Sequence, residues 1–300
     1  MGSSENDGEV TVVIPTTAEA SRQDSLELAI QSVLDQEEVR AVPLVVVNGD
    51  RFDPATLHQL VSRSDLEAHY VGEGNLGGAQ VAGRVLVDRP FFAFLDDDDE
   101  LLPSAIATRM ERMQTTQCDV VASNGYRVLE GQAHLLHDDM QVFAEDPLVG
   151  LLSIGNWLPS CGGLFRSDSV TLRYFDPYAQ QFEWTLIAFK LALRGLHIEF
   201  INQPTFKIND TPGSLSKNPA RYLAEIELHK RLLSFFLPKP VEKVVNARLA
   251  DGYHALAEHL LLERGDRRGA WRAHLMSLRS WSGFRRYASF TRYFARQRPS

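Results

Sequence analysis

Phe91-Phe92-Ala93-Phe94-Leu95-Asp96-Asp97-Asp98-Asp99 is the stretch on which the fold of this chain turns. Five apolar residues in a row, with Pro90 before them, predict a short strand buried on both faces. Four carboxylates at the end of such a strand repel one another unless a cation or hydrogen bonds neutralise them. Hard oxygen donors favour Mg²⁺, Mn²⁺ or Ca²⁺ over zinc or copper. Alternate residues of an extended segment point the same way, so Asp96 and Asp98 share one side and Asp97 and Asp99 the other. A solvated acidic loop is the plain alternative. The buried strand in front and the helix start behind (Leu102-Pro103-Ser104) favour a metal site.

Outward from this junction, short apolar runs alternate with helical patterns, which implies crossover units and a mostly parallel sheet. Expected strands are 10–16, 43–48, 68–72, 91–95 and 118–123. Asp24 with Glu27 predicts a capping box, and Asp53-Pro54 an N-cap followed by proline at the first helical position. Residues 125–146 read as an irregular hairpin turning at Glu130-Gly131, and 156–167 as a strand in which Gly162-Gly163 permit close backbone approach. Residues 182–194 have helical spacing, 197–202 form a last strand, and 210–218 a polar loop. Beyond Pro219 the strand pattern disappears and helices follow, so the α/β part is expected over 10–215 and a helical part over 216–300.

Composition narrows the classes. The chain has 300 residues, 44% hydrophobic and 23% charged, ordinary for a globular protein. No apolar stretch approaches the roughly 20 residues needed to span a bilayer. The polar, acidic residues 1–9 are expected to be a disordered tail and not a signal peptide. Cys118 and Cys161 are too few for a disulfide framework, and a reduced cytoplasmic compartment is the expectation. From Arg264 to Ser300 there are ten arginines and one acid, Asp266, a charge of +9 that leaves −17 for the rest of a chain of net charge −8. An acidic body makes nucleic acid an unsuitable main partner.

Taken in order, VVIPT (12–16), VVVNGD (45–50), GNLGGA (74–79), FFAFLDDDDELLP (91–103), GGLFRSD (162–168) and FEWTLIAFKLALRG (182–195) resemble the family 2 glycosyltransferases over about the first 215 residues. The resemblance implies an α/β GT-A (nucleotide-diphospho-sugar transferase) fold, a mostly parallel sheet flanked by helices, here with an all-helical C-terminal appendage. It also implies inverting sugar transfer with a divalent metal, Mn²⁺ or Mg²⁺, held by Asp96 and Asp98 at the family's Asp-any-Asp positions. A one-residue change of register would exchange these for Asp97 and Asp99. Donor-binding residues are then expected at Pro15, Thr16, Thr17 and Glu19, at Asn48 and Asp50, at Asn75 and Gly77, and at Asp96 and Asp97. UDP is the family's usual nucleotide, although Asn48-Gly49-Asp50 stands where relatives often have two adjacent acids.

Glu183 falls at the position of the family's catalytic base, with Phe182 replacing the first acid of the usual pair. Trp184 is expected either to stack on a sugar or to pack in the core. Arg84 reads as a surface arginine. The segment 207–217 resembles the loop that closes over the nucleotide, with Lys207 near the diphosphate and Asp210 where relatives have a metal-binding histidine. Residues 249–278 resemble one tetratricopeptide-type helix pair. The basic, aromatic segment 281–298 suits either an anionic membrane or docking on acidic protein surface, and self-association stays open. Two other readings remain: a nucleotidyltransferase on sugar phosphates, which would normally begin with a glycine- and arginine-rich loop absent here, and a non-catalytic nucleotide-sugar-binding protein.

Overall fold

Val10–Thr16 (β1) and Ala41–Asn48 (β2) are runs of β-branched and apolar residues, and their near-complete burial places them at the centre of a sheet. In the computed structural model, which describes residues 8–72, 74–178, 181–210 and 220–295, they pair in parallel. Glu67–Val71 (β3) extends the sheet beside β2, and Phe91–Phe94 (β4) lies parallel to β1 on its other side. All four residues of β4 are buried, as the uninterrupted apolar run requires. Gln23–Leu34 (α1), Pro54–Ser62 (α2) and Leu76–Leu86 (α3) are the crossovers. The helix α3 lies close on β1: a Cβ on Gly83 would come within 2.3 Å of Val13 Cγ1.

Past β4 the sheet becomes mixed. Glu100-Leu101 (β5) is followed by the helix Ala105–Thr116 (α4), and Val120–Leu129 (β6) turns into Gln132–Leu135 (β7). Glu130 and Gly131 both have positive φ, the left-handed pair of a tight hairpin turn, at the predicted place. Pro147–Ser153 (α5), Gly163–Arg166 (β8), Glu183–Leu193 (α6) and Ile198–Asn209 (β9) complete this part. The order is β3-β2-β1-β4-β8-β6-β9-β5, with β8 antiparallel to both β4 and β6, and β9 parallel to β6.

Several expectations need correction. The capping box at Asp24 does not form. A 3-10 turn, Ala20–Arg22, runs straight into α1, and Arg22 at the N-cap has helical backbone and no capping side chain. The hairpin is regular from Tyr126 to Leu135, and a 3-10 turn at Met140–Phe143 and α5 follow it. The expected strand over 156–167 shrinks to β8, because Ser160–Gly162 is a 3-10 turn. The strand expected to end at 202 runs on to Asn209, crossing register shifts opposite Ser123, Asn124 and Tyr126. Glu9, placed in the expected tail, is buried between Arg40 and Arg89, which both pair with its carboxylate. The polar loop expected over 210–218 lies, apart from Asp210, outside the described residues, as do residues 1–7 of the expected tail.

The chain forms two compact units, Met1–Pro212 and Gly213–Ser300. The second is helical: Arg221–Leu232 (α7), Lys239–Leu262 (α8), Arg267–Ser277 (α9), Trp281–Tyr287 (α10) and Arg292–Ala295 (α11). Asp266 caps α9 by accepting from the Gly269 N–H at 2.9 Å. Among the described residues no helix is long and apolar enough to cross a membrane.

Candidate functional site

The acidic run leaves the end of β4 with its carboxylates sorted by burial. Asp97 and Asp99 are buried, while Asp96 and Asp98 are partly open; the run is not extended as expected but a turn with Asp97 and Asp98 at its corner, closed by the Asp99 N–H on the Asp96 carbonyl at 3.1 Å. Each carboxylate has distinct company. Asp97 accepts from Thr16 Oγ1 at 2.5 Å and from Arg22 Nε at 2.9 Å, and Arg22 Nη2 grips its other oxygen. The same Nη2 lies 3.4 Å from Asp98. Asp96 accepts from Ser160 Oγ at 2.6 Å. Asp99 is pinned from the end of β9 by the Asn209 N–H at 3.0 Å, with Cys161 Sγ at 3.6 Å, and Asn209 Nδ2 donates to the Asp98 carbonyl at 2.8 Å.

Burial pushes the Asp96 carboxyl up to about 7, with the charges of Asp98, Asp97 and Glu183 adding to it against the opposing hydrogen bond from Ser160. Burial likewise holds Asp99 well above the usual carboxylate range, helped by Asp96 and Asp98. Arg22 therefore compensates Asp97 and also reaches Asp98, and leaves Asp96 short of positive charge. Among the described residues no three His, Cys, Asp or Glu side chains converge as a full metal cage.

Glu183 opens α6 and is 7% exposed. Gln181 and Phe182 before it both hold positive φ, at 58° and 61°, a strained pair that sets where the helix and its first acid begin. Burial raises the Glu183 carboxyl, partly offset by backbone N–H donors of residues 181 and 183. Its charge adds, as the smallest contribution, to the upward shift of Asp96.

The residues expected to bind the donor divide. Thr16 and Thr17 form the turn after β1 with Ala18, whose φ of 50° reverses the chain, and Pro15 is buried within the strand. Thr17 Oγ1 is buried without a hydrogen-bond partner. Asn48 is buried and donates from Nδ2 to the Thr16 carbonyl at 2.9 Å, so it ties β2 to this turn. Glu19 pairs with Arg51 at 3.2 Å, and Asp50 is exposed. Gly49, at φ 77°, and Gly74 bring their backbones together: a Cβ on Gly49 would meet Gly74 Cα at 2.8 Å. Asn75 caps α3 by accepting from the Gly78 N–H at 2.6 Å, which removes that N–H from any anion; Gly77 is buried in the first turn.

Three expectations change. Trp184 stacks on Phe165 (6.2 Å, 22°) with Phe94 edge-on at 5.1 Å, so it packs in the core and its face is not open to a sugar. Lys207 pairs with Glu100 at 2.9 Å instead of reaching toward a diphosphate. Arg84 clamps the chain after β8, donating to the carbonyls of Val170 (3.0 Å) and Ser167 (2.7 Å) over the Phe92 ring. Sequence reasoning passed over Arg22, Ser160 and Arg109. Arg109, on α4, is fully buried and donates to Cys161 O (2.6 Å), Gly163 O (3.4 Å), Ser123 Oγ (3.1 Å) and Thr205 Oγ1 (2.6 Å). It thereby fixes the 3-10 turn from which Ser160 reaches Asp96.

A mixed sheet with an acidic run at the end of β4 and a buried acid opening α6 defines the GT-A class of fold. The chain belongs to glycosyl transferase family 2, whose model matches residues 11–167. Among solved structures, S. aureus TarS (residues 1–349) superposes with a TM-score of 0.65 at 12% identity, covering 90% of this chain and 80% of that one. TarS in complex with UDP-GlcNAc gives 0.60 at 14% identity, with 86% and 74% covered, and in complex with UDP 0.58 at 16%, with 86% and 73% covered. At these identities the likeness is one of fold. No curated protein sequence matches the chain.

Proposed function

We propose that the chain is an inverting glycosyltransferase that moves a sugar from a nucleoside-diphosphate sugar, UDP-linked, to an acceptor hydroxyl, with Mn²⁺ or Mg²⁺ at Asp96 and Asp98. The observation that carries this reading is the pair of buried acids with raised pKa, Asp96 at the end of β4 and Glu183 at the start of α6, close enough that the Glu183 charge adds to the shift at Asp96. A donor-side acid and an acceptor-side acid facing one space is what displacement at an anomeric carbon requires.

The donor set fits a divalent cation. Asp96 and Asp98 are hard oxygen ligands on the more open side of the run, and Asp96 is short of compensating charge. Two carboxylates leave further coordination positions for diphosphate oxygens, as suits Mg²⁺ or Mn²⁺. When bound, such a cation stabilises the negative charge that develops on the departing diphosphate. Asp97 and Asp99 act as the scaffold, through Arg22 and Asn209 respectively.

Glu183 takes the proton of the acceptor hydroxyl, whose oxygen attacks the anomeric carbon as the bond to the diphosphate breaks. A buried carboxylate with a raised pKa is a stronger base than an exposed glutamate. The turn Thr16-Thr17-Ala18, with the unpartnered Thr17 Oγ1, lies where the nucleotide binds outside the carboxyl ends of parallel strands. UDP as the nucleotide is favoured by the fold likeness to TarS, crystallised with UDP and UDP-GlcNAc. The test is a panel of nucleotide sugars incubated with the chain and Mn²⁺, followed by nucleoside-diphosphate release and by donor binding. Glu183→Gln should retain donor binding and lose transfer. Tight donor binding unaffected by chelation, or full transfer by Glu183→Gln, would overturn the reading.

A further inference from the structure

The second unit carries surface chemistry that sugar transfer does not use. After Asp266 the chain contains no Asp or Glu up to Ser300. Within that stretch α9 exposes Arg268, Trp271, Arg272 and Leu275, spaced by three, four and seven residues and therefore on one helical stripe. Its opposite face, Ala270, Ala273, His274 and Ser277, is buried. Three residues later α10 repeats the mixture: Trp281, Phe284 and Arg285 are exposed, while Gly283 presses against the Ser277 carbonyl and Ala250.

We propose that these arginine–aromatic faces of α9 and α10 dock on an anionic lipid surface. Charge complementarity picks the occupant. The chain as a whole is negative, so attraction to an anionic bilayer has to be local, within the roughly 8 Å over which charges act at physiological salt. An acid-free stretch rich in arginine supplies that local field. The apolar component separates a bilayer from a nucleic acid. Trp281 is 74% exposed and stacks on Phe284 at 6.1 Å and 16°, so the two rings form one apolar slab. Leu275, 47% exposed, has no polar atom to offer a phosphate chain. Tryptophan and phenylalanine beside arginine suit the boundary between headgroups and acyl chains.

The four tryptophans make the test direct, because Trp157 and Trp184 are 0% and 8% exposed whereas Trp271 and Trp281 are 37% and 74%. The full chain is mixed with phosphatidylglycerol/phosphatidylcholine vesicles and with pure phosphatidylcholine vesicles. Co-sedimentation and tryptophan emission are then followed, with melting curves as a check of folding. Partition onto the anionic vesicles should be about tenfold or more above that onto the neutral ones, with a blue shift in emission, and should fall in high salt. The triple variant Arg268→Gln/Arg272→Gln/Arg285→Gln and the double variant Trp281→Ala/Phe284→Ala should each lose most of that partition while melting as the parent does. Equal, low partition onto both vesicle types overturns the proposal. So does salt-sensitive self-association that the arginine triple abolishes while vesicles have no effect, since a second copy of the chain is then the occupant.

Discussion

Arg22 holds Asp97 through both Nε and Nη2, and Thr16 donates to the same carboxylate, so the turn after β1 and the acidic run are locked together at a single side chain. The lock fixes which carboxylates face outward. Asp97 is 5% exposed, and Arg22 is its only cationic partner among the described residues. Arg22→Met should therefore lower stability by about 2 kcal/mol, below the usual cost of breaking a fully buried pair because the arginine is partly exposed. Adding Asp97→Asn should recover most of that loss, since no buried charge is then unpaired. Denaturant unfolding of the two single variants and the double checks the coupling.

A divalent cation should raise the melting temperature by mass action, further when UDP is present to complete its coordination. Mn²⁺ at about 100 times its dissociation constant corresponds to about 2.7 kcal/mol. Asp98→Ala should remove the shift and leave the metal-free protein close to the parent in stability. Thermal melts with Mn²⁺, with UDP, with both and with chelator make the comparison.

As the proposed base, Glu183 must be ionised to accept a proton, and its carboxyl is raised by burial. The acidic limb of transfer activity should therefore lie above the ordinary glutamate range, with activity falling as pH drops through it. Glu183→Gln should lower kcat by about 10²–10⁴-fold and abolish that limb. A pH profile of kcat/KM on parent and variant reads both effects.

Arg109 is a buried cation whose partners are carbonyls and hydroxyls, and burial lowers its guanidinium to about 10, so it stays charged near neutrality. Arg109→Met should cost about 3 kcal/mol or more, because the carbonyls of Cys161 and Gly163 lose their donor. Arg109→Lys should recover little, since an ammonium lacks the planar fork that spans these acceptors. Differential scanning calorimetry on the three proteins decides the order.

Local signals were readable from the amino-acid order, and long-range ones were not. The Asp53-Pro54 cap, the Glu130-Gly131 turn and the burial of β4 follow from residues within a few positions of one another. Asp146-Pro147 is the same cap signal, with Asp146 accepting from the Val149 N–H at 2.9 Å, and it marks the helix α5 that the pattern reading passed over. Arg22 meets Asp97 across 75 positions and Ser160 meets Asp96 across 64. Nothing in either neighbourhood announces such a pairing. The two-residue β5 carries no periodicity to detect, and the extension of β9 to Asn209 depends on bulges set by its partner β6. In the candidate site the acids at 96–99 and 183 were legible as chemistry, whereas their division of labour depends on who neutralises whom in three dimensions.

The left-handed pair Gln181-Phe182 sets stability against speed. Non-glycine residues there cost on the order of 1 kcal/mol each. Phe182→Gly would release part of that strain, yet it would also let the first turn of α6 sample directions in which Glu183, the proposed base, no longer points where the acceptor must lie. Such a chain should melt higher and transfer sugar more slowly, so selection for thermal robustness alone would tend to blunt the reaction at this position.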